Sequence, residues 1–362
     1  MKLFSCPNCG NRLYFENAQC LACGSHVLYD ADAADLRLAD TPGLFQCANA
    51  AECGCNWATV EGEPFCRACT LNKTIPDLSI DGNRARWTRV EAAKKRAIYS
   101  LLAYDLPVRP KQSADDEAGI AFDFLAPETG AGPGGEHILT GHDRGLITLN
   151  VAEADSAERE KMRVQMGESY RTLLGHFRHE LGHFYWDRLI RDDAERLAGF
   201  RSVFGDETPD YEEALRRHYA EGAPADWEQR HISAYATSHP WEDWAESWAH
   251  YIHITDTLEM VYALNLGLGQ LDTDPNALSP GDTGGPPHTA PAEPLVRPLV
   301  PFSVILERWM VLSEASNSIN RCMGLPDLYP FVISEVTAGK LRFVHELLGG
   351  ALDARTQPSA AA

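Results

Sequence analysis

The chain has 362 residues, of which 44% are hydrophobic and 9% aromatic, a composition typical of a globular protein and too apolar for an intrinsically disordered one. No apolar run approaches the roughly 18 residues of a membrane span, and the N-terminal sequence MKLFSCPNCG lacks the apolar segment of a secretory signal. We therefore expect a cytoplasmic protein. Its formal net charge of −20 disfavours nucleic acid and anionic membranes as partners, because an acidic surface repels phosphate.

The cysteines are concentrated near the N-terminus, with nine of the ten before residue 70. In a cytoplasmic chain, clustered cysteines favour metal binding over disulfides. Two CxxC knuckles contain Cys6 with Cys9 and Cys20 with Cys23, and a glycine follows each knuckle. Four thiolates at this spacing suit a tetrahedral Zn2+ that is closed by protein ligands, so we predict a structural zinc ribbon over residues 1–27.

A second cysteine cluster predicts another zinc-binding ribbon over residues 44–72. Cys66 and Cys69 form a clear CxxC knuckle, whereas the partner knuckle is ambiguous among three cysteines. We favour Cys47 and Cys55 as the other ligands of this second structural zinc, so that Cys53 is not a ligand. The other choices for the partner knuckle stay open.

The rest of the chain, residues 73–362, predicts a zincin-like domain that is α+β and mainly helical, with a small edge sheet. Its basic stretch NRARWTRVEAAKKRAIY is interpreted as a solvated helix face rather than a nucleic-acid patch. Residues 269–300 are rich in Pro, Gly, Asp and Thr, which is typical of a flexible insertion. Periodicity predicts these elements: a helix within 73–110, a strand over 120–127, a hairpin over 137–151, helices within 154–198, a helix over 239–265, and helices over 301–350 with a break at 324–330.

An HExxH motif, HELGH, occupies residues 179–183. On a helix its two histidines, His179 and His183, lie one turn apart on the same face, where both imidazoles can bind one zinc ion. Glu180 can reach a water molecule on that zinc and accept its proton. The flanking segments TLLGHF and FYW are apolar, so the helix is expected to be buried. Two histidines and a glutamate on a buried helix are costly unless they have a binding partner. We therefore predict a catalytic zinc site here.

A catalytic zinc needs a third protein ligand. The segment that follows the motif, FYWDRLIRDDAE, has neither the glycine nor the histidine of a nearby third-histidine site. The only later segment that is both apolar and rich in ligands is HPWEDWAESWAHYIH, on which Glu242, Glu246 and His250 share one helical stripe. Glu246 is central in that stripe and is the predicted ligand, with Glu242 and Asp243 as alternatives.

These residues resemble the gluzincin metallopeptidases. AESWAHY is similar to the NEGFASY-type segment of the aminopeptidase branch, which implies that Glu246 binds zinc and that Ala249 is a close-packed small residue. His250 departs from the acid that related enzymes often hold nearby. Over nearly the whole chain, the sequence also resembles a bacterial family of zinc-ribbon proteins with a zinc-binding metallopeptidase domain. Several motifs carry this likeness in one order: the two cysteine clusters, CRACTLNKTIPDLS, GLITLNVAEAD, YRTLLGHFRHELGHFYW, HPWEDWAESWAHYIH and NRCMGLPDLYPF.

The resemblance implies a zinc-dependent hydrolase of peptide bonds with three zinc ions, one catalytic and two structural. Zinc held by His179, His183 and Glu246 would lower the pKa of a water molecule toward neutrality. Glu180 would take the proton as general base and later deliver it to the leaving amine. The expected cofactor is therefore Zn2+ and the expected substrate is a peptide or protein.

Two further expectations concern how the substrate is held. A hydrogen-bond donor should stabilise the tetrahedral oxyanion, and the predicted catalytic candidates are Tyr235 and His239, with His231 and Tyr329 as alternatives. The resemblance also implies that GLITLNV could be an edge strand on which an extended peptide lies.

An alternative function is a zinc-ribbon adaptor that binds a protein partner and carries an inactive or non-proteolytic metal site. The complete His-Glu-His-Glu set favours the enzyme, because a degenerate protease would more often have lost Glu180. The ribbons could still bind a protein partner or cover the active site. Neither nucleic acid nor a membrane is an expected partner.

Overall fold

The computed structural model of the protein describes residues 2–126, 140–165, 172–266 and 300–356. Small two-stranded sheets fill the cysteine-rich region, and helices around one four-stranded sheet form the rest of the described chain. The predicted fold class, α+β and mainly helical, is confirmed. The predicted insertion at 269–300 lies, apart from its last residue, outside the described residues. Within the described ranges, no helix is both long enough and apolar enough to cross a membrane.

The cysteine-rich region consists of three short antiparallel pairs that share an aromatic core. Its elements are β1 (Phe4–Ser5), β2 (Arg12–Leu13), β3 (Val27–Asp30), β4 (Asp35–Leu38), β5 (Phe45–Gln46), α1 (Ala50–Cys53) and β6 (Ala58–Thr59). β1 pairs with β2, β3 with β4, and β5 with β6. The ring centroids of Tyr29 and Trp57 are 4.8 Å apart, and Phe15 lies 5.1 Å from Tyr99 of the next helix. The region therefore packs directly onto the helical part of the molecule.

The second part begins immediately after the last cysteine of the second cluster. Its elements are β7 (Asn72–Thr74), α2 (Asn83–Ala103), β8 (Ala121–Leu125), β9 (Gly141–Asp143), β10 (Leu146–Asn150), α3 (Ser156–Gln165), α4 (Leu173–Leu189), α5 (Ala194–Phe204), α6 (Tyr211–Glu221), α7 (Pro240–Ala263), α8 (Phe302–Cys322) and α9 (Glu335–Thr356). The predicted strand at 120–127, the described part of the hairpin at 137–151 and the break at 324–330 are confirmed.

The four-stranded sheet has the order β7-β8-β10-β9. Strands β7, β8 and β10 are parallel, and β9 is antiparallel to β10. The prediction that GLITLNV forms an edge strand is wrong, because its strand β10 pairs with β8 on one side and with β9 on the other. Among the described strands, β9 is the edge strand that contacts α4, the helix that carries the HExxH motif.

Helices α4 and α7 cross at a point where both have small residues. A Cβ on Gly182 would lie 3.1 Å from the Cα of Ala245 and 3.1 Å from Cδ1 of Trp248, so the glycine permits this close approach. The indole Nε1 of Trp244 donates a hydrogen bond to the Gly182 carbonyl at 2.8 Å. Trp244 and Trp248 are fully buried, as expected for core residues of a tryptophan-rich helix. This crossing sets the position of the HExxH motif relative to the acids of α7.

The basic stretch on α2 is not the solvated face that was predicted. Lys94 is fully buried, its Nζ lies 2.9 Å from the Glu91 carboxylate, and it lies over the rings of Phe122 and Phe124 at 5.6 and 5.5 Å. An isolated buried ammonium would be costly, and the carboxylate and aromatic faces offset that cost. The arginines of this stretch pair with acids from other segments: Arg84 with Glu52, Arg86 and Arg89 with Asp155, and Arg96 with Glu16.

Candidate zinc centres and active site

Two sets of four cysteines have their sulfur atoms gathered tightly enough to hold a metal ion. They are Cys6, Cys9, Cys20 and Cys23 in the first unit, and Cys47, Cys55, Cys66 and Cys69 in the second. Sulfur–sulfur distances of 3.7 Å recur in both sets. Zn–S bonds of about 2.3 Å require separations of about 3.8 Å in a regular tetrahedron. Both clusters therefore fit zinc.

Cys53 lies outside the second set, as expected for the cysteine left over. Its Sγ is directed at the backbone carbonyl of Asn49, 3.3 Å away. Burial raises the pKa of the Cys53 thiol to about 12, so it stays protonated at neutral pH. A protonated thiol is a poor metal ligand. The geometry thus selects Cys47 and Cys55 as partners of the CxxC knuckle.

The HExxH motif lies in the buried middle of α4. The helix begins after Thr172, whose hydroxyl accepts a hydrogen bond from the Gly175 N–H at 3.0 Å and so caps the first turn. One turn apart on one face, His179 and His183 direct their Nε2 atoms to the same point, 3.2 Å from each other. Two imidazole nitrogens that converge in this way can bind one metal ion.

A carboxylate from α7 completes this arrangement, and it is Glu242. Its Oε2 lies 2.9 Å from His179 Nε2 and 3.4 Å from His183 Nε2. Zn–N and Zn–O bonds of about 2.0 Å require ligand separations of about 3.3 Å in a tetrahedron, close to all three distances. Oε2 is buried, and no donor in the described residues makes an aligned hydrogen bond to it. The three residues therefore fit a zinc ion.

Glu246, the predicted third ligand, does not reach this point. Its Oε1 lies 2.8 Å from His179 Nδ1, on the opposite edge of the imidazole from Nε2. Its Oε2 accepts a hydrogen bond from the Ser233 hydroxyl at 2.6 Å. The physical reason is the position at which α7 crosses α4. The turn of α7 that faces the Nε2 atoms is that of Glu242, one turn before Glu246. In the part of the chain that the structure describes, the carboxylate gathered with the two histidines is that of Glu242, the alternative on the same face.

Asp243, the other alternative, points away from the histidine pair. Its Oδ2 forms a buried ion pair with Lys340 of α9 and lies 3.2 Å from His231 Nδ1. His231 was one of the alternative oxyanion donors, and this contact places it beside Asp243 instead. Asp243 is therefore part of the packing between α7 and α9.

Glu180, the predicted general base, follows His179 on α4. It is 6% exposed, and no hydrogen bond from the described residues occupies its carboxylate. Burial raises the pKa values of Tyr211 and Tyr235, the charge of Glu242 raises them further, and Glu180 makes a smaller contribution. Tyr211 in turn donates a hydrogen bond to Oε1 of Glu242, which holds that carboxylate toward the histidines. A carboxylate that accepts no hydrogen bond from the described residues can take up a proton.

Of the two predicted catalytic candidates, Tyr235 lies at the site. Its ring centroid is 5.9 Å from that of His179. Burial, followed by the charge of Glu242, raises the pKa of Tyr235 well above its usual range. The hydroxyl therefore keeps its proton at neutral pH and remains a hydrogen-bond donor. It lies on the short 3-10 turn Tyr235–Thr237 that precedes α7.

His239, the other candidate, has a structural role instead. Its Nδ1 accepts a hydrogen bond from the Trp241 N–H at 3.1 Å and so caps α7. Its Nε2 is directed at the carbonyl of Pro209, 3.3 Å away. With both ring nitrogens engaged by the backbone, His239 has no atom to offer a substrate.

Tyr329 and the histidines that follow Glu246 on α7 form a separate group. His250 Nδ1 lies 2.8 Å from the Tyr329 hydroxyl, and the ring of His253 stacks on that of Tyr329 at 5.8 Å. Burial lowers the pKa of His250 to about 4 and that of His253 to about 3, so both are neutral. These histidines hold the segment after α8 against α7, and the Tyr329 hydroxyl is engaged by His250.

Sequence reasoning missed three contributors to the site. Tyr211 comes from a polar segment with no recognisable motif, and Ser233 precedes a turn of a kind that many loops contain. His142 lies on the edge strand β9, with its ring 6.3 Å from that of His183. In the sequence, the only indication of its role was that it is a histidine in the hairpin predicted before the HExxH motif. Each became visible only when separate segments were brought together.

Comparisons with known proteins identify the family to which the chain is similar. A family model described as "Putative zinc-binding metallo-peptidase" matches residues 83–347, and one for a zinc-ribbon domain matches residues 3–80. Two relatives are the "Uncharacterized protein Rv2568c" of Mycobacterium tuberculosis and the "Uncharacterized protein Mb2598c" of Mycobacterium bovis. Each is 39% identical over 351 residues, covering 96% of this chain and 95% of the relative.

No solved structure matches the chain. The family assignment therefore rests on sequence, and the metal-binding geometry agrees with it independently: two sets of four cysteines lie in the zinc-ribbon match, and the His-His-Glu group lies in the other match. The chain belongs to the family whose model carries that description, with a zinc-ribbon region ahead of the metallopeptidase-like part.

Proposed function

We propose that the protein is a zinc-dependent hydrolase of peptide bonds whose catalytic zinc is held by His179, His183 and Glu242. The observation that carries the proposal is the triangle of their three ligand atoms, with sides of 2.9, 3.2 and 3.4 Å, beside an unoccupied general base. Burial alone would raise the pKa of Glu242, but His183 and His179 hold it well below its usual range, so it is ionised and suited to a cation.

When bound, zinc would supply the Lewis acidity that activates water and polarises a scissile carbonyl. The protein residues do the rest. Glu180 accepts the proton of the attacking water on its carboxylate and passes it to the leaving amine. Tyr235 donates a hydrogen bond to the oxygen on which negative charge develops. Tyr211 keeps Glu242 turned toward the histidines.

Glu246 orients His179 in this proposal. Its carboxylate accepts a hydrogen bond from the Nδ1–H, which fixes the tautomer that leaves Nε2 free for a metal. Ser233 holds the other oxygen of Glu246. A carboxylate behind a ligand histidine also increases the basicity of the imidazole, so its loss weakens metal binding without removing a ligand.

The decisive experiment is hydrolysis of a peptide library by the zinc-loaded protein and by Glu180→Gln. The wild type should cleave peptides, and Glu180→Gln should lose cleavage but keep its zinc and its fold. Metal analysis should find about three zinc ions per chain, the sum of one catalytic and two structural sites. Full zinc content without cleavage of any peptide would instead favour the adaptor with a non-proteolytic metal site.

We also propose a cytoplasmic location. Clusters of zinc-binding cysteines are typical of compartments that keep thiols reduced. Labelled protein found in an oxidising compartment, with the cysteines paired as disulfides, would contradict this.

A further inference from the structure

A cavity lies near the proposed active site, at the end of the four-stranded sheet. It has a volume of about 430 Å3. Four separate segments of the chain line it: residues 70–73 at the end of the second zinc unit, residues 110–114 of the loop before β8, residues 120–121 at the start of β8, and residues 143–146 at the turn between β9 and β10. A cavity of this size can hold one or two amino-acid residues.

The walls of the cavity are held in place by two close backbone contacts. A Cβ on Gly119 would lie 2.4 Å from the Cα of Lys111, and a Cβ on Gly145 would lie 2.2 Å from the Gly119 carbonyl oxygen. Arg109 and Asp116 close the base of the loop with two parallel hydrogen bonds of 2.6 and 2.7 Å. The cavity is therefore preformed, so a ligand need not order the loop.

Positive charge converges on this cavity although the whole chain has a net charge of −20. Lys73, Lys111 and Arg144 line it, against the single carboxylate of Asp143. The pair between Arg144 and Asp143 is 3.5 Å long, and the two side chains are 56% and 77% exposed, so it is weak. Lys73 shares its charge with Asp123 at 2.9 Å.

The ammonium group of Lys111 is a hydrogen-bond donor with only part of its capacity used. Its Nζ donates to the carbonyls of Asp116 and Arg144 at 2.8 and 2.6 Å, and a lysine ammonium has three protons. In the described part of the chain no acceptor takes the third proton. Leu71, Ile120 and Leu146 give the same cavity an apolar wall. An anionic group on an apolar body matches this lining.

The cavity lies within reach of a peptide bound at the zinc site. Its rim residues Asp143 and Arg144 directly follow His142, whose ring is 6.3 Å from the proposed ligand His183. An extended peptide advances about 3.3 Å per residue, so a chain running along the edge strand β9 reaches the cavity two to three residues from the bond that is cleaved.

We propose that this cavity is a specificity subsite that binds a carboxylate of the peptide substrate. The inference rests on the proposed hydrolase function and names its substrate class: peptides with an acidic group two to three residues from the cleaved bond. The carboxylate can come from a Glu or Asp side chain or from the C-terminus of the peptide, and both present the same group to Lys73, Lys111 and Arg144.

The test measures binding separately from cleavage. Zinc-loaded, full-length Glu180→Gln protein is titrated with labelled peptides that have randomised neighbours and either Glu or Gln at one scanned position. One position should bind about fivefold more tightly with Glu than with Gln, the size expected for a few partly exposed charge contacts. A second series compares a free C-terminal carboxylate with its amide, which distinguishes the two sources.

The double substitution Lys73→Gln and Arg144→Gln, made in Glu180→Gln, should abolish this preference. Both side chains are more than half exposed, so the fold should tolerate the change. Arg216→Gln is the matched control, because Arg216 is 69% exposed and is paired only within α6. Lys111 is left unchanged because it holds the loop.

The outcomes separate this inference from the function on which it rests. If the wild type cleaves peptides but no acidic position or terminal carboxylate is preferred, the subsite is overturned and the hydrolase stands. A preference that survives in the double variant also overturns it. A preference that the double variant loses, in a protein that cleaves nothing, supports the carboxylate site and overturns the hydrolase.

Discussion

At the scale of single residues, two glutamates one turn apart on α7 take different positions around one imidazole. Glu242 meets Nε2 of His179 at 2.9 Å, and Glu246 meets Nδ1 at 2.8 Å. Helical periodicity places both on the same face, so it could name the pair but not rank its members. Which glutamate meets Nε2 depends on which turn of α7 lies opposite the HExxH motif.

Replacing Glu242 by Gln should remove the catalytic zinc, because a neutral amide is a much weaker ligand than a carboxylate. Metal analysis should then fall from about three to about two zinc ions per chain, the two held by cysteines. Glu246→Gln should keep the zinc at saturating metal but lower its affinity by about 10- to 100-fold in competition with a chelator. The opposite pattern would return the ligand role to Glu246.

Replacing Tyr235 by Phe should lower kcat by about 100-fold, the effect of losing one oxyanion donor. KM and zinc content should change little, since the ring and the metal ligands remain. Steady-state kinetics on the best library peptide measure both constants. Tyr219→Phe is the control, because Tyr219 lies nearby on α6 but is 58% exposed. Equal losses in the two variants would contradict the role of Tyr235.

At the scale of elements, the close crossing of α4 and α7 positions the metal-binding group. The crossing depends on Gly182 within the HExxH motif and on Ala245, between the two glutamates. A helix interior seldom favours glycine, which lowers stability by about 1 kcal/mol relative to alanine when nothing else requires it. Here contact with the backbone of α7 requires it.

Gly182→Ala should therefore destabilise the protein despite its better helix propensity. The new methyl group meets backbone at 3.1 Å, and overpacking of this kind costs about 1–3 kcal/mol. Denaturant unfolding measures the change in free energy of unfolding. Gly339→Ala is the matched control in α9, where a Cβ has no neighbour within 4 Å, and it should be neutral or stabilising. The same stability for both variants would contradict the steric argument.

At the scale of the whole molecule, the second zinc unit and the four-stranded sheet are continuous. β7 starts three residues after Cys69, and Asn72 in that strand donates a hydrogen bond to the Glu91 carboxylate of α2 at 2.8 Å. Glu91 lies 3.9 Å from the sulfur of Cys69 and also pairs with Lys94. Zinc in this unit should therefore stabilise the sheet as well as the ribbon.

Cys55→Ser and Cys53→Ser should differ sharply. Cys55→Ser should lose one zinc ion per chain. It should also lower the thermal stability of the whole protein, because zinc no longer holds in place the second zinc unit that contacts Glu91. Cys53→Ser should keep all the zinc, since Cys53 lies outside the gathered set. Metal analysis and calorimetry on both variants test this. An unfolding transition of the peptidase part that is unchanged in Cys55→Ser would show that the units are independent.

The sequence by itself determined which metal-binding motifs this protein carries. Six cysteines in three CxxC pairs and an HExxH motif on an apolar helix are local patterns, because each pair is spaced by the geometry of one short segment. The mainly helical fold and the hairpin followed in the same way from periodicity. His179, Glu180 and His183 come from a single helical turn, which is why they could be named without tertiary information.

Only the tertiary structure decided what depends on the contact between segments distant in sequence. The crossing of α4 and α7 brings Glu242, rather than Glu246, beside the Nε2 atoms of the two histidines. Strand pairing on both sides of β10 makes β9 the edge of the sheet. Packing brought Tyr211 and His142 to the site and committed His239 to a helix cap. Periodicity specifies a face of a helix, but the turn that meets a partner is set by packing between the helices.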